Sequence, residues 1–193
     1  MIDQALGVVA ERLKGHLAAR YKMPDLVKLS PLTDVEGRPA KDAREGLVMF
    51  LTNIARDTTP RPPPIRSGAQ IQHAQPLHLD VYFMVASAYE PELYQEGLKL
   101  LSAVLMYFQT YPVMTRVNAP EMPAGLEQLS IEISNLRVEE MGQMWGNLGG
   151  RYVPSVMFKM RSVMIDSGAM TDVVPLITMP GAQVQPGPSK VAT

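Results

Sequence analysis

The chain has 193 residues, 46% hydrophobic and 19% charged, so it can build a packed core and is not a disordered polyelectrolyte. Its 18 Lys and Arg against 19 Asp and Glu leave a net charge of −1, which excludes attachment to nucleic acid or an anionic membrane by bulk charge. With no cysteine, disulfides, thiolate metal sites and a cysteine nucleophile are excluded too, and 3 histidines leave little for a histidine-rich metal centre.

The chain opens Met1-Ile2-Asp3-Gln4, with an acid where a secretory leader carries basic residues, so synthesis in the cytoplasm is expected. Ile2, Leu6, Val9, Leu13 and Leu17 recur at steps of three and four and predict a helix over about 2–22, which Pro24 cannot continue. Residues 24–45 read as loop, with a short strand at 25–30. Residues 46–55 (GLVMFLTNIA) are apolar on both faces, which fits a strand buried on both sides, although periodicity alone leaves a helix open. Residues 56–74 hold Pro60, Pro62, Pro63 and Pro64 and predict a long, exposed, polyproline-like loop.

Residues 77–85 alternate, with Leu77, Leu79, Val81, Phe83 and Val85 on one face and His78, Asp80, Tyr82 and Met84 on the other. A second helix is expected over 91–109, opened by Pro91, with Tyr94, Leu98, Leu101, Leu105 and Phe108 as its core stripe. Residues 112–115 suit a short strand and 118–125 a loop. A further strand carries Leu129, Ile131 and Ile133, and a short third helix spans 138–148, ended by Gly149 and Gly150. Residues 155–165 predict a strand, 166–169 a turn, and 170–178 a returning partner strand. The sequence after Met179, rich in Pro, Gly, Gln and Ser, suggests a mobile tail. No internal repeat is visible, and the longest apolar stretches, such as 100–106, are far short of a membrane span.

The pattern is α+β: a small mixed, mostly antiparallel sheet packed by an amino-terminal helix, a second long helix and a short third one. One domain over 1–178, with the proline-rich loop at 56–74 and the tail at 179–193, is the expected organisation.

Catalytic constellations are missing. His16, His73 and His78 share no metal-ligand spacing, and Glu139-Glu140 reads as dipole-favourable acids opening a helix. The glycine-dense 146–150 follows a helix and does not link a strand to one, so it lacks the phosphate-cradle context. There is no Gly-x-Ser-x-Gly and no Gly-Lys-Ser/Thr. The expectation is a protein that is not an enzyme and takes no cofactor or metal. Trp145, the only tryptophan, reads as a core or interface anchor, and the 14 methionines as adaptable core packing.

Three blocks carry a resemblance: 76–85 (PLHLDVYFMV), 94–113 from Tyr94-Gln95-Glu96-Gly97 to Tyr111-Pro112-Val113, and 129–161. The last holds Met144-Trp145-Gly146-Asn147 and then Tyr152-Val153-Pro154-Ser155, ending Phe158-Lys159-Met160-Arg161. Together they resemble the family that caps the tails of phage-derived contractile injection systems, of the antifeeding-prophage and Photorhabdus virulence-cassette type. The amino-terminal opening fits as well, and the likeness covers most of 1–165. One departure is visible: family members often follow Asn-Ile with a cluster of acids, and here Asn53-Ile54 leads into Ala55-Arg56-Asp57.

The resemblance implies a phage tail-terminator-like fold and a structural cap, a homohexameric ring that ends the inner tube and contacts the last ring of the contractile sheath. Its partners would be further copies of itself, the tube protein and the sheath protein, with no nucleic acid and no membrane insertion. The place of action would be an assembled particle, either released or anchored. Trp145, Gly146, Tyr152, Pro154, Ser155, Lys159 and Arg161 are the motif or interface candidates. Arg61, Pro62, Pro63, Pro64 and Arg66 are candidates for a loop that reaches a partner, and the tail after Met179 is a second reaching segment. Sheath subunits of such assemblies commonly exchange strands, so an exposed sheet edge or extended arm on a cap is a candidate contact. A different reading is an adaptor that tethers the particle's distal end to a membrane or another cellular component.

Overall fold

The amino-terminal periodicity builds α1 (Ile2–Tyr21), which buries Leu6, Val9, Leu13 and Leu17 as expected, together with Ala5, Val8 and Ala10. Lys22, at φ 57°, ends it in a left-handed cap whose N–H donates to the Ala18 carbonyl at 2.8 Å. The computed structural model describes residues 1–34, 36–41, 43, 45–59, 70–73, 77–148, 152–165 and 170–174. The strands are β1 (Val27–Leu29), β2 (Leu47–Arg56), β3 (Gln70–His73), β4 (Leu77–Ser87), β5 (Val113–Thr115), β6 (Gln128–Ile133), β7 (Ser155–Ile165) and β8 (Met170–Val174). A short 3-10 turn (Pro91–Leu93) leads into α2 (Tyr94–Thr110), and α3 (Val138–Asn147) precedes β7.

The chain divides into two compact units, Met1–Thr59 with Pro76–Asp166, and Pro60–Gln75 with Ser167–Thr193. The first holds all three helices and a six-stranded mixed sheet in the order β1-β2-β4-β7-β6-β5. The pair β1–β2 is parallel and the other four pairs are antiparallel. This is the α+β architecture that the sequence predicts.

The second unit contains the antiparallel pair β3–β8, with Gln70 opposite Val174 and Ile71 opposite Val173. That corrects two expectations. The returning strand pairs with β3 and not with 155–165, and β3 itself lies inside the stretch read as loop. Four residues carry too little alternation to stand out beside a run of prolines. The proline-rich residues 60–69, the turn at 166–169 and everything after Val174 lie outside the described residues.

In the first unit, one face of the sheet is covered by α1 and α2. Its core joins Leu13, Leu17, Leu47, Met49, Val81, Phe83, Val85, Val104, Phe108, Leu129, Phe158 and Met160. Phe83 stacks on Phe158 with centroids 5.5 Å apart, and Phe108 packs against both at 6.2 and 4.6 Å. Each such ring, fully buried, contributes about 1.5–3 kcal/mol of transfer free energy.

The core stripe of α2 differs from the expected one. Gly97, Leu100, Leu101, Ala103, Val104, Tyr107 and Phe108 are buried, whereas Tyr94 and Leu98 are 51% and 40% exposed. The contact line runs through a residue without a side chain: a Cβ on Gly97 would lie 2.1 Å from Ser87 Oγ. A reading that counts only large apolar residues misses such a close approach.

Strand β2 departs from its expectation as well. Leu47, Val48, Met49 and Phe50 are buried on both faces, but Leu51 and Ile54 are 43% and 42% exposed. The strand outruns its cover, because β1 pairs only with Leu47–Met49.

Candidate interaction face

The other face of the sheet holds most of the motif residues. Residues opposite one another on neighbouring strands share a face, so the registers define rows across it. One row is Phe50, Met84 and Met157. The next is Asn53, Tyr82, Lys159 and Glu132 on β2, β4, β7 and β6. The first row is apolar and covered; the second is polar.

Cover comes from α3. Its start is set locally: the Arg137 backbone N–H donates to the Glu140 carboxylate at 3.0 Å, and Glu139 and Glu140 occupy the first turn. Trp145 is the buried residue of this helix, 3% exposed, within a cluster of Ala40, Ala43, Val48, Phe50, Met84 and Ala86. Met141, Met144 and Met157 pack around that cluster. The single tryptophan is therefore a packing anchor, and thioethers fill the irregular space beside it. Its Nε1 is buried and, among the described residues, has no hydrogen-bond partner.

Tyr152 meets the Trp145 ring edge-on at 5.7 Å and 72° and is itself 59% exposed. Gly146 lies on the exposed side of α3 with open space where a Cβ would stand. The Pro154 carbonyl accepts the Ser87 N–H at 2.8 Å, tying the entry of β7 to the end of β4. Ser155 opens β7 opposite Ala86.

The polar half is ionic. Lys159 Nζ donates to Asp80 Oδ2 at 2.7 Å, and both side chains are largely buried, 16% and 9% exposed. The same ammonium lies 5.6 Å from the centre of the Tyr82 ring. The hydrogen bond to Asp80 raises the Lys159 pKa above its ordinary value. Arg161 pairs with Glu132 at 2.9 Å, in a more exposed setting. Asp80 Oδ1 is buried and, among the described residues, without a partner.

The motif residues thus form two groups. Trp145 and Tyr152 touch one another at the α3 end, while Lys159 and Arg161 belong to the ionic half. Asp80, Tyr82 and Glu132, the partners of the two motif cations, were not singled out from the sequence. A lone acid within an alternating strand was the available signal for Asp80. Arg61, Pro62, Pro63, Pro64 and Arg66 lie outside the described residues.

Among the described residues no group of three or more His, Asp or Glu side chains is placed to hold a metal ion, and no helix is long and apolar enough to cross a membrane.

Residues 8–179 match the family model of the Pvc16 N-terminal domain. No curated protein matches the chain at the sequence level. Among solved structures, the fold is similar to a sheath/tube terminator of the extracellular contractile injection system PVC in its extended state (TM-score 0.56, 13% identity, 99% of this chain and 65% of that one). It is also similar to the tube-terminating cap of the anti-feeding prophage (TM-score 0.51, 14% identity, 86% of this chain and 59% of that one). The chain therefore spans under two thirds of the length of either neighbour.

Proposed function

The chain belongs to the Pvc16 N-terminal domain family, and from that premise we propose that it is the structural cap of a contractile injection particle. It ends the inner tube, contacts the last ring of the sheath, and makes no chemical change. The observation that carries this reading is the family match over 8–179. Support comes from the fold, which two terminators of such particles share.

The physical task is to stop two growing polymers. Stacked rings present an open, heterologous surface that keeps adding subunits until something unlike a subunit occupies it. A ring of six copies of this chain, facing the tube on one side, meets that need. On the motif face, Tyr152, Gly146 and Arg161 are the proposed contact residues, since they retain exposure. Trp145, Pro154, Ser155 and Lys159 hold the platform beneath them. Near-zero net charge suits side-by-side packing of identical copies.

Imaging particles from a strain lacking the protein tests the proposal. Sheaths or tubes of unregulated length, or failed assembly, are the expected result. Normal particles that lose their cellular position would overturn it in favour of a tethering adaptor. Particle density at the distal end should count six copies, and any other number would refute the ring.

A further inference from the structure

The described methionines fall into three groups by exposure. Met49, Met84, Met114, Met122 and Met160 are buried, none more than 5% exposed. Met23 and Met106 are open to solvent, at 53% and 44%. Met1, Met141, Met144 and Met157 lie between, and the last three pack around one cluster, that of Trp145.

Within α3 the single buried side chain is Trp145. Met141 lies one turn before it, on the same side of the helix, and Met144 adjoins it in sequence. Met157 packs against the same cluster from β7, in the row with Phe50 and Met84. Helix and sheet are thus joined by one indole and three partly exposed methionines.

A thioether is apolar, whereas its sulfoxide is polar and accepts hydrogen bonds. Apart from the indole N–H, the side chains of this cluster are Ala, Val, Leu, Phe and Met and offer no donor. The buried Trp145 Nε1 has no partner among the described residues, so it can match one sulfoxide oxygen. The other two would be left buried without a donor or driven out into solvent.

We propose that Met141, Met144 and Met157 are a site of reversible oxidation by hydrogen peroxide, and that their sulfoxides release α3 from the sheet. Each thioether sulfur gives an electron pair to one peroxide oxygen. The O–O bond breaks, an S–O bond forms, and the proton on the transferred oxygen passes to the departing hydroxide, which leaves as water. The sulfur is oxidised and the peroxide reduced. Gly146 would move with α3, and Tyr152 would lose the ring it packs against. The consequence for a cap rests on the proposed function; the oxidation itself is a property of the free chain.

Treating the free wild-type protein with hydrogen peroxide tests it, with each methionine followed by peptide mass mapping and each amide by hydrogen exchange. Met23 and Met106 should oxidise first and leave exchange unchanged. Met141, Met144 and Met157 should follow, well before Met49, Met84 and Met160. Their oxidation should speed exchange in α3 about tenfold while α1 stays as it was. Methionine sulfoxide reductases acting on both epimers should restore the slow exchange. A variant carrying Met141→Leu, Met144→Leu and Met157→Leu, close in volume, should keep α3 protected under peroxide. Sulfoxides at all three positions with α3 exchange unchanged would overturn the inference. So would oxidation of Met84 ahead of the three, or an opening of α3 that persists in the triple variant. Each of these results leaves the cap reading standing, because imaging of particles decides that separately.

Discussion

The two faces of the six-stranded sheet are held in different ways. The face under α1 and α2 is a continuous apolar core with an aromatic triad of Phe83, Phe108 and Phe158 at its centre. The opposite face is split, half gathered around one indole and half set by ion pairs across strands. Bulk burial is enough to specify the first face, whereas the second depends on a few particular partners. Substitutions should therefore have graded effects on the first and more local effects on the second.

The largest loss is expected from Phe158→Ala, whose ring touches both other members of the triad. About 4 kcal/mol should disappear from the unfolding free energy measured in urea. A loss under about 1 kcal/mol would mean that the first face does not dominate stability.

Trp145→Ala should cost about 3 kcal/mol, with hydrogen exchange rising in α3 and not in α1. Trp145→Phe should cost less than about 1.5 kcal/mol, because the buried indole N–H has no described partner to lose. Equal protection changes in both helices would erase the contrast between the faces.

Breaking the Asp80–Lys159 pair comes next. Asp80→Ala should cost about 2–3 kcal/mol by leaving a largely buried ammonium unpaired, while the double change with Lys159→Met should recover most of that. The Lys159 pKa is raised in the folded state. The stability from this group is therefore fully present below the ordinary lysine range and falls as pH climbs through the raised value. Thermal melts across the alkaline range should show this slope in the wild type and not in the double variant.

Gly97→Ala tests the close approach of α2. It should cost about 1–2 kcal/mol despite the better helix propensity of alanine, and Ser87→Ala in the same chain should restore part of the loss. The smallest effect is expected from Arg161→Gln. That ion pair is exposed on both sides, so unfolding should change by under about 1 kcal/mol.

The first face was legible in the sequence because large apolar residues at regular spacing announce it. Leu6, Val9, Leu13 and Leu17 mark α1, and Phe83 and Val85 mark the inward side of β4. The rotation of α2 was not legible, since the helix turns on Gly97, which adds no hydrophobic signal. The ionic half was only partly legible: Lys159 and Arg161 stood out through a family motif, but their partners are set by strand register. Register depends on the bulges between Leu51 and Asn53 and between Leu79 and Val81, which one strand's periodicity cannot reveal. The pairing of β8 with β3 was hidden for the same reason, as strands distant in sequence choose one another through the tertiary fold.

The burial of Trp145 has an optical consequence. It is the only indole in 193 residues, and it sits at the contact between α3 and the sheet. Its fluorescence therefore reports one face of one sheet and nothing else. Emission from the folded protein should lie at short wavelength and shift to the red when α3 leaves the sheet, even if the triad beneath α2 stays packed. Each molecule thus carries its own gauge of whether the motif face is closed.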